Sequence, residues 1–219
     1  PRNFGLRVEQ TVELLKRYNY VLTRLNAIAT AHLPHTPEWE VKCGLSLHLW
    51  LDAEHSAALR RRVGEMREPP LGLEAIPHPA WEVLFAEIQN APTTEELLIG
   101  IYEHAMPELH SLIFHYQEDT NPLTDAPSRR LLRFAQLELE DMLDFGEASI
   151  DALVTPDFRT ALLDWVELLE RCIQSAIGKV PVEELKRTYS GAASGKRALI
   201  NFSRPSKVGL RCNSARTSR

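Results

Sequence analysis

His48, Asp52 and His55 are spaced four and three residues apart, which puts two imidazoles and a carboxylate on one face of a helix. Such a trio can ligate a divalent cation, hold a proton, or hydrogen-bond within itself. Further acids stand at comparable places along the chain: Glu108, Glu138 and Asp141, with Glu13 near the start. Oxygen and nitrogen donors of this kind suit iron or manganese. Two carboxylates at one interior depth repel each other unless a cation or a proton lies between them.

The elements that must position these groups are helices. The chain has 219 residues, 44% apolar and 25% charged, with aromatics at only 7%. That is the balance of a soluble globular protein of one large domain or two small ones, leaning helical. Helix 1 is expected from Val8 to Ala31 on the stripe Val8, Val12, Leu15, Tyr18, Leu22, Leu25, Ala29. Thr36 is placed to cap helix 2, with Pro37 in its first turn, and Pro69-Pro70 stops that helix near Arg67. Helix 3 starts at Thr93, with Glu96 completing a capping box. It runs to about Asp119, with a bend expected at Pro107. Helix 4 spans about Asp125 to Leu153, and Thr155-Pro156 caps a fifth helix that ends at Gly178.

Helices 1 and 2, and helices 3 and 4, are joined by a few residues, so each pair is an antiparallel hairpin. Between the pairs lies a Pro-rich connection of about residues 68–92, with a short amphipathic piece near Trp81–Gln89. One long central crossover is the ferritin-like connectivity. The expectation is therefore an all-α, ferritin-like four-helix bundle over residues 7–178, with a fifth helix added. A basic, poorly ordered tail follows over residues 179–219.

The inner stripe of helix 2 reads Val41, Leu45, His48, Asp52, His55, Leu59, Val63, Met66, apolar at both ends and polar in the middle. Helix 3 offers Leu98, Ile101, Ala105, Glu108, Leu112, His115, and helix 4 offers Leu131, Ala135, Glu138, Met142, Phe145, with Asp141 on the same edge. If the second hairpin turns near Leu123, Glu108 and Glu138 are equidistant from the turn and share one level. If the first turns near Pro34, His55 is level with Glu13.

These features resemble the ferritin-like di-metal carboxylate superfamily. Its rubrerythrin-type members carry Glu-x-x-His on two helices and a single Glu on each of the other two. Asp52-Ala53-Glu54-His55 resembles the first motif, with Asp for Glu. Glu108 resembles the lone glutamate of the third helix. Glu138-Leu139-Glu140-Asp141 resembles the second motif with Asp in place of His, and Glu13 is the nearest match on the first helix. The likeness covers about residues 8–153. It implies a di-iron or di-manganese centre with Asp52, His55, Glu108, Glu138 and Asp141 as ligands and His48 in support. It also implies oxidase or oxygenase activity on a small-molecule substrate with dioxygen.

Plainer readings stand beside this one. His48, Asp52 and His55 can bond one another. Glu138 and Asp141 can pair with Arg129, Arg130 or Arg133. Tyr18 can be core or line the pocket, while His104 and His110 read as surface residues and Cys43 and Cys172 as buried ones. A protein that has lost full metal affinity would be a metal-free helical scaffold or partner-binding module. Three scattered cysteines (Cys43, Cys172, Cys212) exclude a disulfide scaffold, and no CxxC, G-x-S-x-G or phosphate-loop motif occurs. No apolar run spans a membrane and no secretory signal opens the chain, so the expected location is cytoplasmic. Residues 1–179 carry 16 Lys/Arg against 28 Asp/Glu, and residues 180–219 carry 9 against 2. Without interleaved aromatics the basic end does not point to nucleic acid. A homodimer is compatible with everything read so far.

Overall fold

A computed structural model describes residues 5–67, 72–73 and 75–180; the basic tail expected at 179–219 lies outside them except for Lys179 and Val180. The regular structure of the described residues is all helical, with no strand among them. The order is α1 (Val8–His32), α2 (Trp39–Glu65), α3 (Pro79–Gln89), α4 (Thr94–Leu98), a π-helical segment (Ile99–Ala105), α5 (Met106–Asp119), α6 (Ala126–Leu153), α7 (Pro156–Ala161) and α8 (Leu163–Ala176).

The local chemistry explains most boundaries. The Thr93 hydroxyl accepts from Glu96 N at 3.2 Å and the Thr155 hydroxyl from Phe158 N at 3.3 Å, each satisfying an orphan donor of a helix start. Thr36 does otherwise. It is buried, and its hydroxyl donates to the His32 carbonyl at 3.0 Å, closing α1 rather than opening α2. The expected fifth helix is two segments, α7 and α8, which meet at Leu162. It ends as expected before Gly178, whose φ of +80° suits a residue without a side chain.

The bend expected at Pro107 is a π turn placed just before it. Proline has no N–H to give the carbonyl four residues back, and its ring crowds that carbonyl. The chain widens instead, and Met106 N donates to the Ile101 carbonyl, five residues back.

Cross-helix contacts set the packing. Asn26 Nδ2 donates to the Leu49 carbonyl at 2.7 Å and Ser56 Oγ to Asn19 Oδ1 at 2.8 Å, so α1 and α2 run antiparallel. Arg62 Nε donates to Ser128 Oγ at 2.8 Å at one end of the α2–α6 contact, and Phe145 fills the space beside Gly44 at the other. The Tyr18 hydroxyl donates to the Leu112 carbonyl at 3.0 Å, joining α1 to α5, and the Tyr18 ring packs edge-on against Tyr116. Tyr18 is therefore a core residue. The crossover helix α3 covers α1, with Phe85 against Tyr20, and also packs against α8. No described helix is long and apolar enough to cross a membrane.

Candidate functional site

The inner edge of α2 is as expected: Val41, Leu45, His48, Asp52, His55, Leu59 and Val63 are all buried. Each polar member of that edge meets a different environment.

His48 Nδ1 lies 2.7 Å from the Tyr102 hydroxyl. The rings of Tyr102 and Phe145 close over the imidazole edge-on, with centroids at 5.7 and 5.2 Å. Burial pushes His48 down to about 4, so the ring is neutral at pH 7. A neutral Nδ1 accepts from the Tyr102 O–H, which leaves the ring proton on Nε2. Tyr102 keeps its proton because burial, and then the nearby Asp52, raise its hydroxyl above the ordinary range. Its close approach depends on Gly146, where an added Cβ would fall 2.2 Å from the Tyr102 ring.

Asp52 is 2% exposed, and its Oδ1 has no hydrogen-bond partner. Burial raises its carboxyl well above the usual carboxylate range. An unpaired buried carboxylate costs several kcal/mol, about what protonation avoids.

His55 Nε2 lies 2.7 Å from Glu138 Oε2, but off the line of a well-formed hydrogen bond. Burial lowers His55, and the Glu138 carboxylate partly offsets this. The Glu138 side chain is 43% exposed, so the pair marks the solvent rim of the site.

The other expected ligands are not brought to this edge. Glu13 is exposed. The α1–α2 register places His55 beside Tyr20, about 10 Å along the helix from the expected height. Asp141 is exposed as well, because the core line of α6 passes through Leu132, Ala135, Leu139, Met142 and Gly146. Glu138 sits one position off that line. Glu108 is half-buried on the flank of α5, with Lys179 and His115 as its charged neighbours, and burial raises its carboxyl. The π turn adds a residue to the third long helix. Beyond it the core line runs Met106, Leu109, Ile113, Tyr116, one place out of step with the stripe that carried Glu108. The α5–α6 hairpin is also offset. Gln117 meets Gln136 at 2.5 Å and His110 meets Glu140 at 3.2 Å, so Glu108 is about one to two turns from the height of Glu138.

Among the described residues, no three His, Cys, Asp or Glu side chains converge as a metal-ligand set. The donor set implied for a di-metal centre does not assemble. His104, read as a surface residue, is buried, and burial lowers its imidazole. Cys172 is buried as expected, whereas Cys43 is exposed.

Tyr102, the partner of His48, was not singled out in the sequence, where nothing local marks it: its contact depends on the bare Cα of Gly146 on another helix. No protein-family model, curated protein or solved structure matches this chain.

Proposed function

We propose that this chain is a divergent ferritin-like four-helix bundle that acts as a metal-free helical scaffold and partner-binding module. The fold reading is supported by the order of packing. α1 lies against α2 and α5, α2 against α6, and one long connection carrying α3 joins the two hairpins. The observation that carries the functional reading is the fate of the polar groups. His48 Nδ1 meets the Tyr102 hydroxyl, His55 lies against Glu138, burial raises the Asp52 carboxyl well above the usual carboxylate range, and Glu13 and Asp141 face water. Protein groups stand beside the two histidines of this core where a di-metal centre would place cations.

A second reading is favoured by one specific observation. Asp52 Oδ1 is wholly buried without a partner, one helical turn from His55. A divergent iron or manganese protein with oxidase or oxygenase activity would use that oxygen as a ligand.

Metal analysis decides between them. The full chain is purified under iron- and manganese-replete conditions beside Asp52→Ala, Glu108→Ala and Glu138→Ala. The scaffold reading expects substoichiometric metal in the parent protein and the same trace level in all three variants. Stoichiometric metal that is lost in the variants while helicity is kept would overturn it in favour of the redox reading.

A further inference from the structure

At one end of the bundle the connection between α1 and α2 lies beside the connection between α3 and α4, and a cavity of about 600 Å³, open on one side, lies between them. That volume falls within the roughly 300–1,000 Å³ of small-molecule sites. Two hydrogen bonds tie the walls together. His32 Nε2 meets the Gln89 carbonyl at 3.0 Å, and the Thr94 hydroxyl donates to Glu38 Oε2 at 2.8 Å. Neither wall needs a ligand to bring it to the other. None of the groups on the inner edge of α2 lines the cavity, so its ligand is a question separate from the proposed function.

The hydrogen bonds that shape the cavity also set what it can recognise. Thr94 has spent its proton on Glu38. Thr36, 4% exposed, has spent its own on the His32 carbonyl. A carbonyl only accepts, so His32 Nε2 carries the ring proton and Nδ1 of the neutral ring is an acceptor. Glu38 has one oxygen engaged, and the Glu95 side chain on the facing wall is engaged by no other described residue. The lining therefore offers two carboxylates and the acceptors of Thr36, Thr94 and His32, and it contains no Lys or Arg. Side-chain protons remain on Thr93, Gln89 and the exposed His35. Hydrocarbon from Ala31, Pro37, Ala91, Pro92 and Leu97 lies between these polar groups. A complementary ligand is cationic, rich in N–H donors and carries methylene segments. We propose that the cavity binds a linear aliphatic polyamine, its ammonium groups on Glu38 and Glu95 and its methylenes on the alanines and prolines. An ammonium donates three N–H bonds and accepts none, and bonds between charged partners are the strong ones. Two carboxylates on separate walls select for a chain with an ammonium at each end.

The test is isothermal titration calorimetry of the full chain with spermidine at about pH 8 and about 0.15 M salt, where exposed charges are screened beyond about 8 Å. Wild type should bind one spermidine with a dissociation constant on the order of 0.1–1 mM. Glu38→Gln keeps an acceptor for Thr94, and Glu95→Gln alters a half-buried side chain. Each should weaken binding by about tenfold or more with helicity unchanged. Asp144→Asn, an exposed acid on α6, should leave binding as it is, which separates the cavity from the general acidity of the bundle. n-Butylamine has one ammonium and Mg²⁺ has no methylenes, and each should bind about tenfold more weakly than spermidine or worse. Three results overturn the proposal: no heat of binding up to about 10 mM spermidine, glutamate variants that bind no worse than Asp144→Asn, or n-butylamine or Mg²⁺ binding as tightly as spermidine.

Discussion

Among the described residues two aspartates are buried, and their surroundings differ. Asp125 opens α6 at the end of the bundle. The Tyr116 hydroxyl and the Thr120 hydroxyl (3.0 Å) both donate to its Oδ2, while its Oδ1 accepts no hydrogen bond and has the Arg62 Nη2 cation at 3.5 Å as its ion-pair partner. Asp52 sits in the middle of α2 between His48 and His55, and its Oδ1 has no donor. The difference comes from position within a helix. At an end, free backbone groups and turning loops bring hydroxyls and guanidinium groups within reach. In the middle every backbone N–H is already spent on the helix, so a carboxyl depends on what neighbouring helices happen to supply. One acid is a clamp between α2, α5 and α6. The other is a group whose burial favours its proton-bearing form.

The clamp should be the costlier of the two to break. Asp125→Ala removes the acceptor of two hydroxyls and the partner of a mostly buried guanidinium, with an expected loss of about 3–5 kcal/mol in urea denaturation. A loss under about 1 kcal/mol would erase the distinction between the two aspartates. Next in size is the acid sensitivity of the inner edge. His48 is held near 4 in the folded chain against 6.5 in the open one, so the unfolded state binds the extra proton. Its contribution is intact above pH 6.5 and is lost as the pH falls from there to about 4, an effect on the order of 3 kcal/mol. His55 and His104 are shifted the same way and add to the slope. A pH series of denaturation curves for wild type and His48→Gln isolates the His48 share. Parallel series would mean that the ring is not desolvated by Tyr102 and Phe145.

The inner edge of α2 was legible because nothing interrupts that helix. Uninterrupted spacing of three and four residues carried His48, Asp52 and His55 to their buried places without help from any other element. Glu108 and Glu138 were not legible for two reasons that reinforce each other. The π turn before Pro107 shifts every later position of the third long helix by one residue, a step of about 100° on the helix wheel. The heights then depend on where a hairpin turns. The α1–α2 and α5–α6 contacts show both turns displaced from the positions that symmetry about Pro34 or Leu123 suggests. Tyr102 stayed hidden because its hydroxyl meets His48 only through the wide turn and the bare Cα of Gly146. Capping at Thr93 and Thr155 was read correctly because it depends on three residues of local sequence. Thr36 misled because its hydroxyl had a choice between two helix ends and took the earlier one.

The smallest effect separates the two readings of the core most sharply. A carboxyl raised well above its ordinary value is fully compatible with folding below the unfolded-state value, near pH 4. As the pH rises beyond that, the open chain ionises while the folded chain cannot, and stability is lost until the folded value is reached. Asp52→Asn keeps the shape and removes the ionisation. The variant should match wild type at pH 4 and exceed it by about 1–2 kcal/mol at pH 7, the range seen when an uncompensated buried acid is replaced. The comparison is best made by urea denaturation at both values, with and without added manganese. If Asn costs stability at pH 7, and the cost grows when manganese is present, the carboxylate is ionised and has a cation for a partner. In that case Asp52 would belong with Asp125 as an answered acid, and the resemblance to a metal-holding bundle would extend to its chemistry.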